Sequence, residues 1–210
     1  MKRYEKPYVT GALIGINILI FLLEEVSGGS TDTNTALRFG ALYVPLVRDY
    51  GQWWRIFTAM WLHFGIQHIG VNMIVLFAIG RYVEAYFGRI RYLSLYLFSG
   101  LCGNLLVLAT DWITGNYGVS AGASGAIFGL FSVLLIFAMT PGIKRQFPIR
   151  RVLFSILLML LPGFSDRSIS LAAHLGGLAG GFALAFLMNY FRRLRLRAER
   201  QRKITGSDQI

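Results

Sequence analysis

The chain has few charged residues and almost no cysteine. Aspartate, glutamate, lysine and arginine make up only 15% of its 210 residues, whereas a soluble domain carries about a quarter. The one cysteine, Cys102, lies in an apolar segment, so an internal disulfide is excluded. The sequence also has no H-E-x-x-H motif of the kind that binds zinc in metalloproteases. The low charge argues against an ordinary soluble domain, and the single cysteine rules out a fold held together by internal disulfides.

Hydrophobic residues are abundant and fall in blocks. They make up 55% of the chain, and blocks of this kind indicate membrane spans. We predict an all-α polytopic membrane protein with six transmembrane helices. Five lie at about residues 8–23, 66–86, 92–110, 152–161 and 169–191, and the fourth in chain order contains Ser124 and ends before Pro141. A long outer first loop, about 27–64, is rich in aromatic residues in its second half. Such residues favour the membrane–water interface, so we expect this loop to lie partly in the outer leaflet.

The chain has a net charge of +11, and its lysines and arginines are concentrated in a few segments. The basic residues occupy short connections and one tail rather than one face of a folded domain, which argues against nucleic acid as a partner. With six spans and both termini inside, seventeen of the 21 lysines and arginines lie on the inner side. The four outer ones are Arg38, Arg48, Arg55 and Arg167. This bias predicts a multi-pass protein of the cell (cytoplasmic) membrane with both termini in the cytoplasm.

Four polar residues within the spans share one depth in the membrane. Ser124 lies near the outer end of the fourth span, in a stretch of small residues, and His174 lies near the outer end of the sixth. His68 and Asn72 are four residues apart in the second span, so they share a helix face near its outer end. Spans two, four and six run in the same direction. Because polar groups inside a membrane cost free energy unless they are paired, we expect these side chains to meet.

The residue types fit nucleophilic catalysis. A serine hydroxyl needs a base within hydrogen-bonding reach, and His174 can take its proton and return it to a leaving amine. His68, Asn72 and the backbone N–H of Ser124 can stabilise an oxyanion. Phe128, one turn after Ser124, can pack against the imidazole. No aspartate or glutamate lies in the fourth or the sixth span, so the residues permit a Ser–His dyad rather than a triad. We expect no metal and no cofactor.

Other conspicuous residues are interpreted as structural. They are Trp54, Arg55, His63 and Glu84. We expect Arg55 to donate hydrogen bonds to carbonyls of the first loop. Of these residues, His63 at the end of the loop is the one whose position in the sequence allows it to lie at the same membrane depth as Ser124, His174, His68 and Asn72. Glu84, near the inner end of the second span, is expected to pair with Arg81 or Arg89.

Together these motifs resemble the rhomboid family of intramembrane serine proteases. The matching segments are GASGAIFG around Ser124, His68-x-x-x-Asn72, AHLGGLAGG around His174, and Trp54-Arg55. The resemblance covers about residues 8–191, and the combined spacing is highly specific although each piece alone is weak. Gly122 matches the first glycine of the family's GxSG motif. Inactive relatives lose the serine or the histidine, whereas this chain keeps both.

The resemblance implies a minimal six-span rhomboid bundle with a Ser124–His174 dyad and no metal. It implies that His68 and Asn72 serve the oxyanion, and that structural support comes from Gly122, Phe128, Trp54 and Arg55. It also implies cleavage of transmembrane or juxtamembrane segments of single-span membrane proteins, with small residues favoured at the cut. We therefore predict a catalytic domain, 1–191, and a basic cytoplasmic tail, 192–210. The expected partners are transmembrane substrates and the lipid bilayer.

Two other classes of function remain as alternatives. A membrane metalloenzyme would use His63, His68 and His174 as zinc ligands, but it would leave Ser124 and Asn72 without a purpose. A transporter or non-catalytic scaffold would need neither the serine nor the histidine. An α/β-hydrolase is excluded in practice, because its nucleophile motif needs a second glycine where this chain has Ala126, and a preceding strand.

Overall fold

The computed structural model describes residues 6–161 and 170–207, and these residues form a bundle of helices. In chain order the helices are α1 Tyr8–Val26, α2 Thr33–Phe39, α3 Val44–Tyr50, α4 Arg55–Thr58 followed by a 3-10 turn Ala59–Trp61, α5 Gly65–Phe87, α6 Arg89–Thr114, α7 Ser124–Met139, α8 Ile149–Leu160 and α9 Leu171–Ser207. Within these described ranges there is no strand, only an isolated bridge between Leu42 and Ser120. The all-α prediction is confirmed.

Each predicted span coincides with one helix. Four helices are long and apolar enough to cross a membrane: α1, α5, α6 and residues Leu171–Leu196 of α9. The other two are shorter, since α7 has 16 residues and α8 has 12, whereas a bilayer core requires about 20 residues. The chain is therefore a polytopic membrane protein whose described residues include four helices of full spanning length.

Helix α7 occupies the centre of the bundle. It is apolar on every side, which is typical of a helix surrounded by other helices, and nearly all of its residues are buried. Helices α6 and α9 approach α7 closely because glycines line their contacts. A Cβ added to Gly125 of α7 would lie 3.2 Å from the carbonyl oxygen of Ala173 in α9. Small residues allow this separation, as in other membrane helix pairs. The close packing fixes the relative depth of α7 and α9.

The prediction for Glu84 is wrong. No ion pair joins Glu84 to Arg81 or Arg89 within residues 6–161. Instead the buried carboxylate accepts the backbone N–H groups of Val9 and Thr10, at 3.0 and 2.9 Å, and the hydroxyl of Thr10 at 2.8 Å. The first N–H groups of a helix have no intrahelical acceptor, and here they belong to α1. Glu84 of α5 therefore caps the start of α1 and ties the two helices together.

The long first loop is folded around Arg55. Its guanidinium donates hydrogen bonds to the carbonyl oxygens of Leu37 and Ala41, at 2.9 and 2.8 Å, as expected from the sequence. The guanidinium carbon also lies 4.7 Å from the ring centre of Trp54, a cation–π distance. Aromatic side chains on the outside of the loop are exposed: Tyr50, Trp53, Trp54 and Phe57. The loop thus packs on the bundle and presents an aromatic surface.

The basic segment begins at the other end of the bundle. The Arg192 guanidinium carbon lies 4.2 Å from the ring centre of Tyr86 in α5, and Arg193 donates to the hydroxyl of Thr140 after α7 at 3.2 Å. The predicted domain boundary at residue 191 falls inside α9, which continues through Ser207. Predictions for Lys2 and Arg3, for the turn at 162–167, for the start of the sixth span at 169 and for the last three residues concern positions outside the described ranges.

Candidate active site

Ser124 and His174 meet at the N-terminal ends of α7 and α9. Ser124 is the first residue of α7 and His174 is the fourth residue of α9. The Nε2 atom of His174 lies 3.0 Å from Oγ of Ser124, although fifty positions separate the two residues in the chain. His174 is buried, while Ser124 keeps 9% of its surface exposed and lines a cavity. The hydroxyl is therefore accessible from that cavity and within hydrogen-bonding distance of a base.

Ring stacking holds the imidazole of His174. Phe128 lies one turn after Ser124 in α7. Its ring stacks on the imidazole of His174, with 4.2 Å between the ring centres and 18° between the planes. When Nε2 accepts the serine hydroxyl, the ring proton is on Nδ1. Nδ1 is buried and has no hydrogen-bond partner among the residues described. Within the described residues, the ring is thus contacted by Phe128 and by Ser124 itself.

Two side chains of α5 supply polar groups beside Ser124. The backbone N–H of Phe64 donates to Nδ1 of His68 at 3.4 Å, which leaves the proton of a neutral ring on Nε2. That nitrogen lies close to Gly122 and Ser124. One turn further along, Asn72 is buried, and its Nδ2 donor has no partner in the described ranges. As the first residue of α7, Ser124 also has no intrahelical acceptor for its own N–H. These three N–H donors therefore belong to residues that line the same cavity.

The segment that precedes Ser124 is anchored residue by residue to the first loop. Ser120 exchanges two backbone hydrogen bonds with Leu42, each 2.9 Å long, and the N–H of Gly122 donates to the carbonyl of Ala59 at 2.9 Å. Gly122 has φ +143°, and an added Cβ would lie 3.0 Å from the ring of His68. Only glycine satisfies both conditions. Leu42 and Ala59 of the first loop thereby contact the segment that leads into Ser124.

A cavity of about 680 Å³ opens beside Ser124 between α5, α7 and α8. Its polar end contains Ser124, His174, His68 and Asn72. Most of its remaining wall is apolar, with Val71, Ile74 and Val75 from α5, Phe131 and Leu134 from α7, and Leu158 and Met159 from α8. Helix α8 buries only Val152 and Ile156, so it is weakly attached to the bundle. The cavity can hold an extended apolar chain with one peptide bond at the serine.

The three histidines do not form a metal site. In residues 6–161 and 170–207 no group of three or more His, Cys, Asp or Glu side chains is arranged to hold a metal ion. His63, interpreted from the sequence as structural, lies near the site, with its ring centre 5.1 Å from that of His68. The one feature of the sequence that could have indicated that His63 lies near the site is its position five residues before His68.

Comparison with known proteins identifies the family. The profile of the Rhomboid domain matches residues 50–191, which is more than half of the chain. The chain is 38% identical over 184 residues to the Rhomboid protease GluP of Bacillus subtilis (strain 168). The chain belongs to the rhomboid family. The match to GluP covers 86% of this rhomboid and 34% of GluP.

Other relatives of this rhomboid are found in bacteria and plants. It is 36% identical over 138 residues to the Putative rhomboid protease YdcA of the same bacterium, covering 65% of the chain and 68% of YdcA. It is 38% identical over 157 residues to RHOMBOID-like protein 5 of Arabidopsis thaliana, covering 73% of the chain and 50% of that protein. The rhomboid chain thus spans about a third to two thirds of the length of these relatives.

Proposed function

We propose that this rhomboid is an intramembrane serine endopeptidase with Ser124 as nucleophile and His174 as general base. The observation that supports this most strongly is the 3.0 Å contact between Ser124 Oγ and His174 Nε2 at the polar end of an apolar cavity. A hydroxyl becomes a useful nucleophile only when a base lies within such reach. Two relatives are named rhomboid protease or putative rhomboid protease, which agrees with the chemistry of the site.

The reaction proceeds in two balanced steps. Ser124 Oγ attacks the carbonyl carbon of the scissile peptide bond while His174 Nε2 takes the hydroxyl proton. The tetrahedral intermediate collapses, the C–N bond breaks, and His174 gives the proton to the departing amine. A water molecule then attacks the acyl ester as His174 accepts one of its protons. Breakage of the ester releases the new carboxylate and returns the proton to Ser124.

His68, Asn72 and the Ser124 backbone N–H stabilise the oxyanion of both intermediates. Asn72 is the strongest of the three candidates because its Nδ2 is a buried donor without a partner in the described structure. A buried donor of this kind costs free energy in the resting enzyme. The developing oxyanion supplies the missing acceptor, so the interaction is made in the transition state. One such donor can change the rate by about 10²–10³.

The membrane setting completes the proposal. The chain crosses the cell membrane six times, with α7 and α8 as the two short spans and both termini in the cytoplasm. The short α7 starts below the outer surface, so Ser124 lies beneath the membrane boundary, and the aromatic first loop rests in the outer leaflet. Residues 1–191 form the catalytic domain, and the basic residues that follow contact anionic headgroups.

The substrate is a transmembrane or juxtamembrane segment of a single-span membrane protein. The cavity between α5 and α8 supports this choice because most of the residues that line it are apolar and Ser124 lies in its wall. A substrate chain enters between these helices in extended form, since a helix would keep its carbonyl groups bonded within itself. Helix-destabilising sequences are therefore preferred near the cut.

Reconstituted proteolysis tests this proposal. The purified protein is incorporated into liposomes with a model single-span substrate, and mass spectrometry locates the cut. A Ser124→Ala preparation purified in parallel controls for contaminating proteases. We expect cleavage within or beside the transmembrane segment that persists in EDTA. Cleavage lost on chelation would support a metalloenzyme, and cleavage equal in the Ser124→Ala preparation would contradict the proposal.

Filling the cavity should block the substrate without touching the dyad. Ser155 of α8 lines the cavity, and its hydroxyl bonds only within its own helix, to Arg151. We expect Ser155→Trp to lower kcat/KM for a transmembrane substrate by about tenfold or more, because the indole occupies space that the substrate needs. Labelling of Ser124 by a small fluorophosphonate should change by less than about twofold.

Phe154→Trp is the matched control for that variant. Phe154 is 61% exposed and lies outside the cavity lining. The Phe154→Trp substitution places an indole at the adjacent position of the same helix. Equal losses in the two variants, or full activity in Ser155→Trp, would show that the substrate does not use this cavity.

A further inference from the structure

His63 is a buried histidine that the dyad mechanism does not use. It follows the 3-10 turn Ala59–Trp61 and precedes α5, and only 1% of its surface is exposed. We infer that His63 is a positioning residue, whose Nε2 accepts the backbone N–H of Ala123 and thereby holds the peptide that leads into the nucleophile. This inference rests on the proposed function of Ser124.

The contact lies directly before the serine. His63 Nε2 is 3.5 Å from the backbone nitrogen of Ala123. Ala123 is fully buried and precedes α7, and its side chain provides no cap for the helix. A buried N–H that lacks an acceptor is costly, because water cannot replace the missing bond. His63 supplies the acceptor that this N–H would otherwise lack.

Two anchors from one short loop segment hold consecutive peptide units. The N–H of Gly122 donates to Ala59, and the N–H of Ala123 donates to His63. In a trans peptide the N–H and the preceding C=O point in opposite directions. When the N–H of Ala123 points at His63, the carbonyl of Gly122 must point away from it. Gly122 has the conformational freedom to let this peptide rotate, so the side-chain contact is what restrains it.

The surroundings of His63 keep its ring neutral, so that Nε2 can accept the hydrogen bond from Ala123. Burial, with His68 nearby, lowers the pKa of His63 to about 3, so the ring is neutral under ordinary conditions. With Nε2 accepting, the proton is on Nδ1. The carboxylate of Glu24 accepts the backbone N–H of His63 at 3.3 Å, which attaches this segment to the end of α1. His68 faces the ring edge-on. The segment is therefore held from α1 on one side and holds Ala123 on the other.

Loss of the His63 contact should affect turnover more than substrate binding. The Gly122–Ala123 peptide is adjacent to the Ser124 N–H, which is a donor to the oxyanion in the proposed mechanism. A rotated peptide would misplace that donor and the serine hydroxyl. Since these groups act on the charge that develops in the transition state, kcat falls while KM for the substrate changes little.

Two substitutions and one control test the inference in the full-length protein. His63→Leu removes the acceptor, whereas His63→Gln places an amide oxygen near the position of Nε2. Leu62→Ala is the control, since it removes buried apolar volume beside His63, in a cluster that Val119 and Ala121 also contact, but leaves the acceptor for the Ala123 N–H in place. We measure amide hydrogen exchange at Ala123 together with kcat and KM for a transmembrane substrate. The exchange measurement does not depend on proteolysis.

For His63→Leu we expect exchange at Ala123 to become faster and kcat to fall, each by about tenfold or more, with KM changed by less than about twofold. His63→Gln should recover most of both losses, and Leu62→Ala should change neither by more than about twofold per folded molecule. Unchanged exchange at Ala123 in His63→Leu, or equal kcat losses in the Leu and Gln variants, would overturn the inference while leaving Ser124 as nucleophile. A wild-type protein that does not cleave would overturn both.

Discussion

Replacing Ser124 or His174 with alanine is expected to reduce proteolysis by at least about 10³-fold, since each residue makes and breaks bonds or moves a proton in both steps. Losses in the two single variants should be similar and should not add in the double variant, because the residues act as one unit. The initial rate of substrate cleavage in liposomes measures this effect. Activity within about tenfold of wild type in either variant would remove that residue from the proposed dyad.

Ser132→Ala is the matched control for Ser124→Ala. Ser132 lies two turns further along α7, is fully buried, and bonds within its own helix to the carbonyl of Gly129. Both substitutions remove one hydroxyl from the same central helix. Ser132→Ala should retain proteolysis within about twofold, because its hydrogen bond is local to the helix. An equal loss in both variants would point to the stability of α7 rather than to chemistry at Ser124.

Gly177→Ala is expected to prevent α9 from packing on α7. A Cβ added to Gly177 would overlap the carbonyl oxygen of Gly125, and both groups belong to the backbone, so no side-chain rotation relieves the contact. Overpacking of this kind costs about 3 kcal/mol. Because this contact fixes the depth of His174, we expect lower yield, a lower Tm in detergent and loss of proteolysis. Thermal unfolding of the purified variant checks the prediction.

The control for Gly177→Ala is Gly15→Ala in α1. An added Cβ at Gly15 meets no atom within 4 Å, and the substitution slightly favours the helix. We expect its Tm and proteolysis to match wild type. If Gly177→Ala unfolds at the same temperature as Gly15→Ala, the close approach of α9 to α7 is not required for the fold.

Most of the helical fold was predictable because hydrophobic blocks are a strong signal. Each predicted span coincides with a helix, and α1 begins at the residue expected from the sequence. Membership of the rhomboid family, predicted from four motifs, is confirmed by the family profile. The number of membrane crossings stays a prediction, since α7 and α8 are shorter than a full span.

The contact between Ser124 and His174 was also predictable. The sequence places both residues near the starts of spans that are predicted to run in the same direction. The structure places Ser124 and His174 in contact and Phe128 against the imidazole. The catalytic roles assigned to these residues, and to His68 and Asn72, stay predictions until activity is measured.

Contacts made by irregular backbone were not predictable. Glu84 was expected to pair with an arginine close in sequence, but it caps α1 about 75 residues away. Similarly, nothing in the sequence places the carbonyl of Ala59 against Gly122 or the ring of His63 against Ala123. Such contacts depend on the path of the first loop, which has no periodic pattern. The contacts of Ala59 and His63 with this segment are therefore visible only in the folded chain.

Residue-level mapping of a covalent inhibitor tests the central claim most directly. The protein in liposomes is treated with a fluorophosphonate, digested and sequenced by tandem mass spectrometry. We expect a single adduct on Ser124 Oγ, formed by wild type and by Ser132→Ala but not by His174→Ala, since acylation requires the base at Nε2. An adduct on another residue, or an adduct on Ser124 that forms equally fast without His174, would contradict the account.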